Sequence, residues 1–233
     1  MIGENLNRVK EKIFNKCSEV NRIPAEVKLI VVSKNFGAGH IKEAFAAGQI
    51  DFGENRPQEL DGKAKLINEN ICWHFIGNLQ RNKVKYVVKW ADFIHSVNSL
   101  SLAEEINKRA EKLGKIQKVF VEVNTSNEST KLGLTDELEI ETLVYKIEEM
   151  KNLKLTGLMT MAPFTDDKNK IRKSFKFLRM LKDKFVNNGV DLKHLSMGMS
   201  ADYEIAIEEG ATMLRIGSAI FGPRDYSKSW REL

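Results

Sequence analysis

The sequence predicts an α/β protein, a (β/α)8 TIM barrel preceded by one extra helix. Three observations carry this. Eight short β-rich runs alternate with helical patterns between residues 27 and 216. Such alternation argues a parallel sheet, because every crossover between parallel strands needs a connecting helix that covers the sheet. Eight units in about 200 residues match the size of a closed barrel. No Pro- or Ser-rich linker and no shift in composition divides the chain, so residues 1–233 are read as one domain. An open doubly wound sheet is the alternative, and it would use about five to seven strands.

The elements follow in order. Leu6, Val9, Ile13 and Val20 give residues 3–21 a helical apolar spacing. Val27–Val32 is a β-branched run, read as the first strand. The helical pattern of Ala38–Ala47 ends at Gly48, a residue suited to closing a helix. Strand Ile50–Gly53 precedes a polar helix at 56–69. Strand Trp73–Ile76 precedes helix 80–88, and strand Asp92–Val97 precedes helix 99–113, which Gly114 ends. Strand Lys118–Val123 leads to helix 136–150, strand Leu153–Met159 to helix 168–187, and strand His194–Met197 to helix 202–209. Thr212–Ile216 is the eighth strand.

Composition narrows the function classes. Apolar residues are 42% and charged residues 30%, so the chain can bury a core. No apolar run approaches the roughly 18 residues of a membrane span. Charged residues from Glu4 to Glu19 leave no signal-peptide segment. Cys17 and Cys72 form no CxxC pair and no disulfide framework. A reduced, cytoplasmic protein is expected, without membrane association. The net charge of +5 invites a nucleic-acid reading, but 27 of the 37 basic residues are Lys. The dense stretch Lys168–Lys184 alternates with Ile171, Phe175, Leu178 and Leu181, the pattern of a solvated outer helix face. No nucleic-acid partner is expected, and a monomer is.

In a barrel, chemistry gathers where strands end. There Lys34 follows the first strand, Glu54-Asn55 the second and Thr160 the sixth, while Ser196–Ser200 and Arg215–Ser218 follow the last two. A half-buried amine at Lys34 is a nucleophile toward aldehydes, although a strand-end Lys can also simply reach solvent. Ser200, read at a helix start, and Gly217-Ser218 offer backbone N–H groups, close approach and hydroxyls for an anion. Aldehyde and phosphate together point to pyridoxal 5′-phosphate (PLP). The four His show no metal-ligand spacing, and no metal is expected. His74 and His95 are read as packed strand histidines.

V-V-S-K at 31–34, F-G-E-N at 52–55, W-H-F-I-G-N-L-Q-R-N-K at 73–83, G-L-M-T-M at 157–161, S-M-G-M-S-A-D-Y at 196–203 and R-I-G-S-A-I-F-G at 215–222 resemble the pyridoxal phosphate homeostasis protein family, from about residue 5 to Tyr226. Arg56-Pro57 departs from that family, where an aromatic and then an aliphatic residue is more usual. The resemblance implies a barrel like the N-terminal domain of alanine racemase, among the fold-type III PLP proteins. It implies PLP held as a Schiff base on Lys34, the phosphate on Ser200, Gly217 and Ser218, Arg215 facing the pyridine nitrogen, and Asn55 and Met159 lining the ring pocket.

A guanidinium only donates hydrogen bonds and stays charged, so Arg215 at that nitrogen would weaken the ring as an electron sink. In the racemases that this barrel resembles, a second base comes with a separate C-terminal β-domain, for which the sequence up to Leu233 leaves no room. The expectation is therefore a non-catalytic PLP-binding protein of intracellular vitamin B6 homeostasis, with no catalytic residue, that passes PLP to apo-enzymes. A PLP-dependent amino-acid racemase and a polyanion-binding protein on a barrel scaffold are the alternatives.

Overall fold

The computed structural model describes residues 1–126, 128, 131–223 and 230–231; Tyr226, where the resemblance ends, and Leu233 lie outside them. Eight strands close into a barrel in chain order: β1 (Lys28–Val32), β2 (Asp51–Glu54), β3 (Cys72–Phe75), β4 (Phe93–Val97), β5 (Gln117–Glu122), β6 (Leu153–Met159), β7 (His194–Ser196) and β8 (Met213–Ile216). Each pairs in parallel with the next, and β8 returns to β1 with Ile30 opposite Arg215. The helices α1 (Ile2–Glu19), α2 (Ala38–Ala46), α3 (Pro57–Leu66), α4 (Val84–Val88), α5 (Leu100–Lys112), α6 (Glu137–Glu148), α7 (Lys168–Asn187), α8 (Tyr203–Glu208) and α9 (Ser218–Phe221) surround it. Among the described residues no helix is long and apolar enough to cross a membrane.

Local chemistry starts these helices where the sequence places them. The Ser99 hydroxyl accepts from the Leu102 N–H, and the Asp136 and Asp167 carboxylates accept from N–H groups in the first turns of α6 and α7. These side chains satisfy donors that a helix start leaves without partners. Pro57 opens α3, where its missing N–H costs nothing, and Arg56 before it is exposed. On α7 the residues Ile171, Phe175, Leu178, Leu181 and Phe185 are buried at spacings of three and four. The basic face of α7 pairs outward with acids: Arg172 with Glu208 and Glu209, Arg179 with Glu209, and Lys184 with Glu137 and Glu141.

Strand register divides inward from outward residues. Ile30, Phe93, Phe120, Met159 and Met213 fill the barrel interior as one apolar cluster. A far larger cluster, including Leu6, Phe52, Phe75, Ile106 and Phe175, lies between the sheet and its helices. Full burial of each large apolar side chain contributes about 1.5–3 kcal/mol. α1 joins the larger cluster through Leu6, Val9, Ile13 and Cys17, and Asn5 Nδ2 donates to the Ile220 carbonyl of α9 at 2.9 Å.

Three details differ from the sequence expectation. The helix read at 80–88 begins as a 3-10 turn at Arg81–Lys83 before α4. The short helix α9 follows Ser218. Ser200 does not start a helix: it lies in the turn before α8, whose cap is Asp202, because the Asp202 and Tyr203 N–H groups both bond back to the Met199 carbonyl.

Gly157 on β6 sits where a Cβ would come within 2.0 Å of the His194 carbonyl oxygen. Gly157→Ala should therefore spread β6 from β7 and lower stability by about 3 kcal/mol. Urea unfolding followed by circular dichroism measures this.

Candidate functional site

The seven residues singled out from the sequence all lie at the C-terminal ends of the strands. Lys34 occupies the turn after β1 and is half-buried. Its neighbours are gripped by a buried ionic cluster. Lys63 Nζ donates to the Ser33 carbonyl at 2.7 Å, to Glu54 Oε1 at 2.7 Å and to Glu59 Oε1 at 2.8 Å. The Ser33 hydroxyl donates to Glu54 at 2.6 Å, and the Asn35 N–H donates to Glu59 at 2.6 Å. Asn35 holds φ at 66°, a left-handed conformation that Asn tolerates better than most residues. Residues 33 and 35 are thus both tied to one ammonium or to its carboxylate partners. Burial raises the Glu54 carboxyl to about 7 against the opposing charge of Lys63.

On the adjacent strand β8 stands Arg215, buried at 5% exposure. Its Nη1 donates to the Ser196 hydroxyl at 2.6 Å and its Nη2 to the Thr160 carbonyl at 2.8 Å. Burial lowers the guanidinium to about 10, so it stays charged at neutral pH. Glu122 at the end of β5 is buried, and burial raises its carboxyl to about 7 against the attraction of Arg215. Met159 belongs to the apolar interior. Asn55 brings a buried Oδ1 with no hydrogen-bond partner, and its backbone runs so close to Gly77 that a Cβ there would come within 2.1 Å of the Asn55 carbonyl oxygen.

The loops after β7 and β8 meet. The Ser218 hydroxyl donates to that of Ser200 at 3.2 Å. Gly198 turns the chain at φ +94°, and the buried Asp202 carboxylate accepts from the Met199 N–H at 2.5 Å, which fixes the loop. At Gly217 a Cβ would come within 2.9 Å of the Val32 carbonyl oxygen, so only glycine lets β8 leave the sheet this close to β1.

Sequence reasoning missed Lys63 and Glu59. Their spacing of four residues on a polar helix is a signal for an ion pair, but it does not tell a buried pair from an exposed one. His74 and His95 are packed strand histidines, as expected, but both are also hydrogen-bonded inside the barrel.

The family described as alanine racemase, N-terminal domain, matches residues 4–225. The chain is 43% identical over 225 residues to the "Pyridoxal phosphate homeostasis protein" of Aquifex aeolicus, covering 96% of this chain and 98% of that one. It superposes on PipY of Synechococcus elongatus PCC7942, solved with PLP bound, at a TM-score of 0.84 and 33% identity, over 95% of this chain and all of that chain. Alanine racemase of Clostridium difficile 630 shares the fold alone, at a TM-score of 0.75 and 18% identity; the match spans 96% of this chain and 59% of that one.

Two outcomes follow from the buried charges. Lys63→Met leaves Glu54 and Glu59 buried without their counter-charge and should cost about 3–5 kcal/mol in urea unfolding. For Glu122 the sign is set by its raised folded value. Below pH 4.5 the carboxyl is protonated in both states; toward pH 7 only the unfolded chain ionises it, so the folded state loses stability. The loss is on the order of 3 kcal/mol across that window, and Glu122→Gln should abolish this part of the pH dependence when unfolding is compared at pH 5 and pH 8.

Proposed function

Because the chain belongs to the pyridoxal phosphate homeostasis protein family, we propose that it holds PLP reversibly at the C-terminal mouth of its barrel and serves PLP homeostasis without turning over a substrate. The observation that carries this reading is the pairing of two held positions on the adjacent strands β1 and β8: Lys34 on a turn clamped through Ser33 and Asn35, and the Arg215 guanidinium held by Ser196 and Thr160. The residues present fit the group. Asn55 offers a buried acceptor without a protein partner, and the exposed Ser218 hydroxyl stands beside Ser200 next to the close backbone turn at Gly217.

When bound, PLP supplies an aldehyde that condenses with amines and a pyridine ring that delocalises charge. Lys34 would hold the aldehyde end covalently. The Ser200 and Ser218 hydroxyls and the Gly217 backbone would hold the phosphate. Met159 and Asn55 would line the ring. Arg215, which has donors and no acceptor, would hold the ring nitrogen unprotonated. That choice suits a carrier, because it gives little help to carbanion chemistry. An amine from solvent or an apo-enzyme would take over the aldehyde and return Lys34 to its amine form, so a cofactor held this way would be released without a further reactant.

Absorption spectroscopy of the purified protein tests the reading. Added PLP should produce a visible yellow band, and borohydride should fix it at Lys34, located by peptide mass mapping. Lys34→Ala should lose the band. A protein that stays colourless with PLP sinks the proposal. Racemisation of an amino acid that disappears in Lys34→Ala sinks the non-catalytic part of it.

A further inference from the structure

Six side chains from six strands form one continuous chain of hydrogen bonds through the barrel. Arg215 Nη1 donates to Ser196 Oγ at 2.6 Å. Ser196 Oγ lies 2.8 Å from His95 Nδ1, His95 Nε2 lies 2.9 Å from His74 Nδ1, and His74 Nε2 lies 2.9 Å from Asp51 Oδ1. Lys28 Nζ donates to the same Asp51 oxygen at 2.8 Å. The chain begins at the C-terminal mouth, beside the proposed PLP site. It ends at the opposite mouth, where Lys28 reaches solvent.

The two ends fix the direction of every bond between them. A guanidinium only donates, and a carboxylate only accepts. Burial pushes the Asp51 carboxyl up, but the bonds and charges of His74 and Lys28 outweigh it and hold the group below the ordinary carboxylate value. His74 must therefore carry its hydrogen on Nε2. Burial, reinforced by the Arg215 charge, holds His95 well below the ordinary imidazole value; burial also lowers His74 despite Asp51. Each ring is thus neutral and has one N–H. The Nδ1 of His74 then accepts from the Nε2–H of His95. The Nδ1 of His95 accepts from the Ser196 hydroxyl, whose lone pairs accept from Arg215. No step leaves a donor facing a donor. Stacking fixes the planes as well: His74 lies on Phe93 at 4.7 Å and His95 on Phe120 at 4.3 Å between ring centres.

We propose that Ser196, His95, His74 and Asp51 are positioning residues for Arg215, acting through a one-way hydrogen-bond relay in which both imidazoles are Nε2–H tautomers. Asp51, Cys72 and His74 converge within 4.8 Å at the far mouth, but the Lys28 ammonium already supplies the cation there, so His74 keeps its Nε2 hydrogen. With Nη1 tied to Ser196 and Nη2 to Thr160, the guanidinium plane cannot turn. The effect on bound PLP rests on the proposed function; the relay itself does not.

The test is nuclear magnetic resonance of the protein labelled with 15N-histidine and 15N-arginine, without and with PLP. The expected result is Nε2–H on both His74 and His95 at pH 7. Ser196→Ala removes the link between Arg215 and His95. It should speed hydrogen exchange at the Arg215 guanidinium by about tenfold, the equivalent of one hydrogen bond, and should shift the PLP band. The two tautomers should persist, since Asp51 sets them. Asp51→Leu should do the reverse at the far end, giving His74 an Nδ1–H population. Nδ1–H or an imidazolium on either ring of the wild type overturns the relay, as does unchanged Arg215 exchange in Ser196→Ala. The Nε2–H pattern in a protein that gives no PLP band overturns the proposed function and leaves the relay standing.

Discussion

A closed sheet of eight parallel strands spends its backbone hydrogen bonds on its neighbours, and its inward side chains must fill a narrow interior by themselves. Everything else in this molecule answers to that constraint. Apolar residues such as Ile30, Phe120 and Met213 occupy part of the space. A polar string from Arg215 to Asp51 occupies much of the rest. Polar groups in such an interior are tolerated only when each finds a partner, because nothing else can replace lost water. Here the partners are one another. The packing of the barrel and the orientation of the guanidinium at its mouth therefore depend on the same atoms.

The cluster around Lys63 shows the same economy outside the barrel interior. Burying one ammonium with two carboxylates gives little net stability, since desolvation offsets most of the attraction. What the arrangement does give is direction. Its bonds end on the backbone of Ser33 and Asn35, so the turn that carries Lys34 has few other conformations open to it. The barrel thus uses two buried ionic networks, one behind the amine and one behind the guanidinium.

Much of this was legible in the sequence, and the failures have definite causes. The eight strands and the main helices follow from period and from Gly punctuation; β6 and α7 fall on their expected bounds. The α9 turn is four residues long, too short to show a helical period. Strand-end positions brought Lys34, Asn55, Met159, Ser200, Arg215, Gly217 and Ser218 to one face, because the fold itself places strand ends there. Lys63 was not found, since its burial comes from packing over β1 and β2 and not from its own helix. The bond between His95 and Ser196 joins residues 101 apart, and only the closed barrel makes them neighbours. Ser200 was placed at a helix start because Ser favours that position, whereas Asp202 takes it.

The leading helix has a consequence for how the chain is made. α1 is synthesised before the barrel strands, yet Asn5 bonds to Ile220, 215 residues later. At about 5–20 residues per second of translation, the part of the α1 face that α9 covers waits roughly 10–40 s for its partner. Strand β1 waits almost as long for β8. Until then α1 has its early neighbour α2 to pack against, and the part of its apolar face that α8 and α9 cover stays open to solvent.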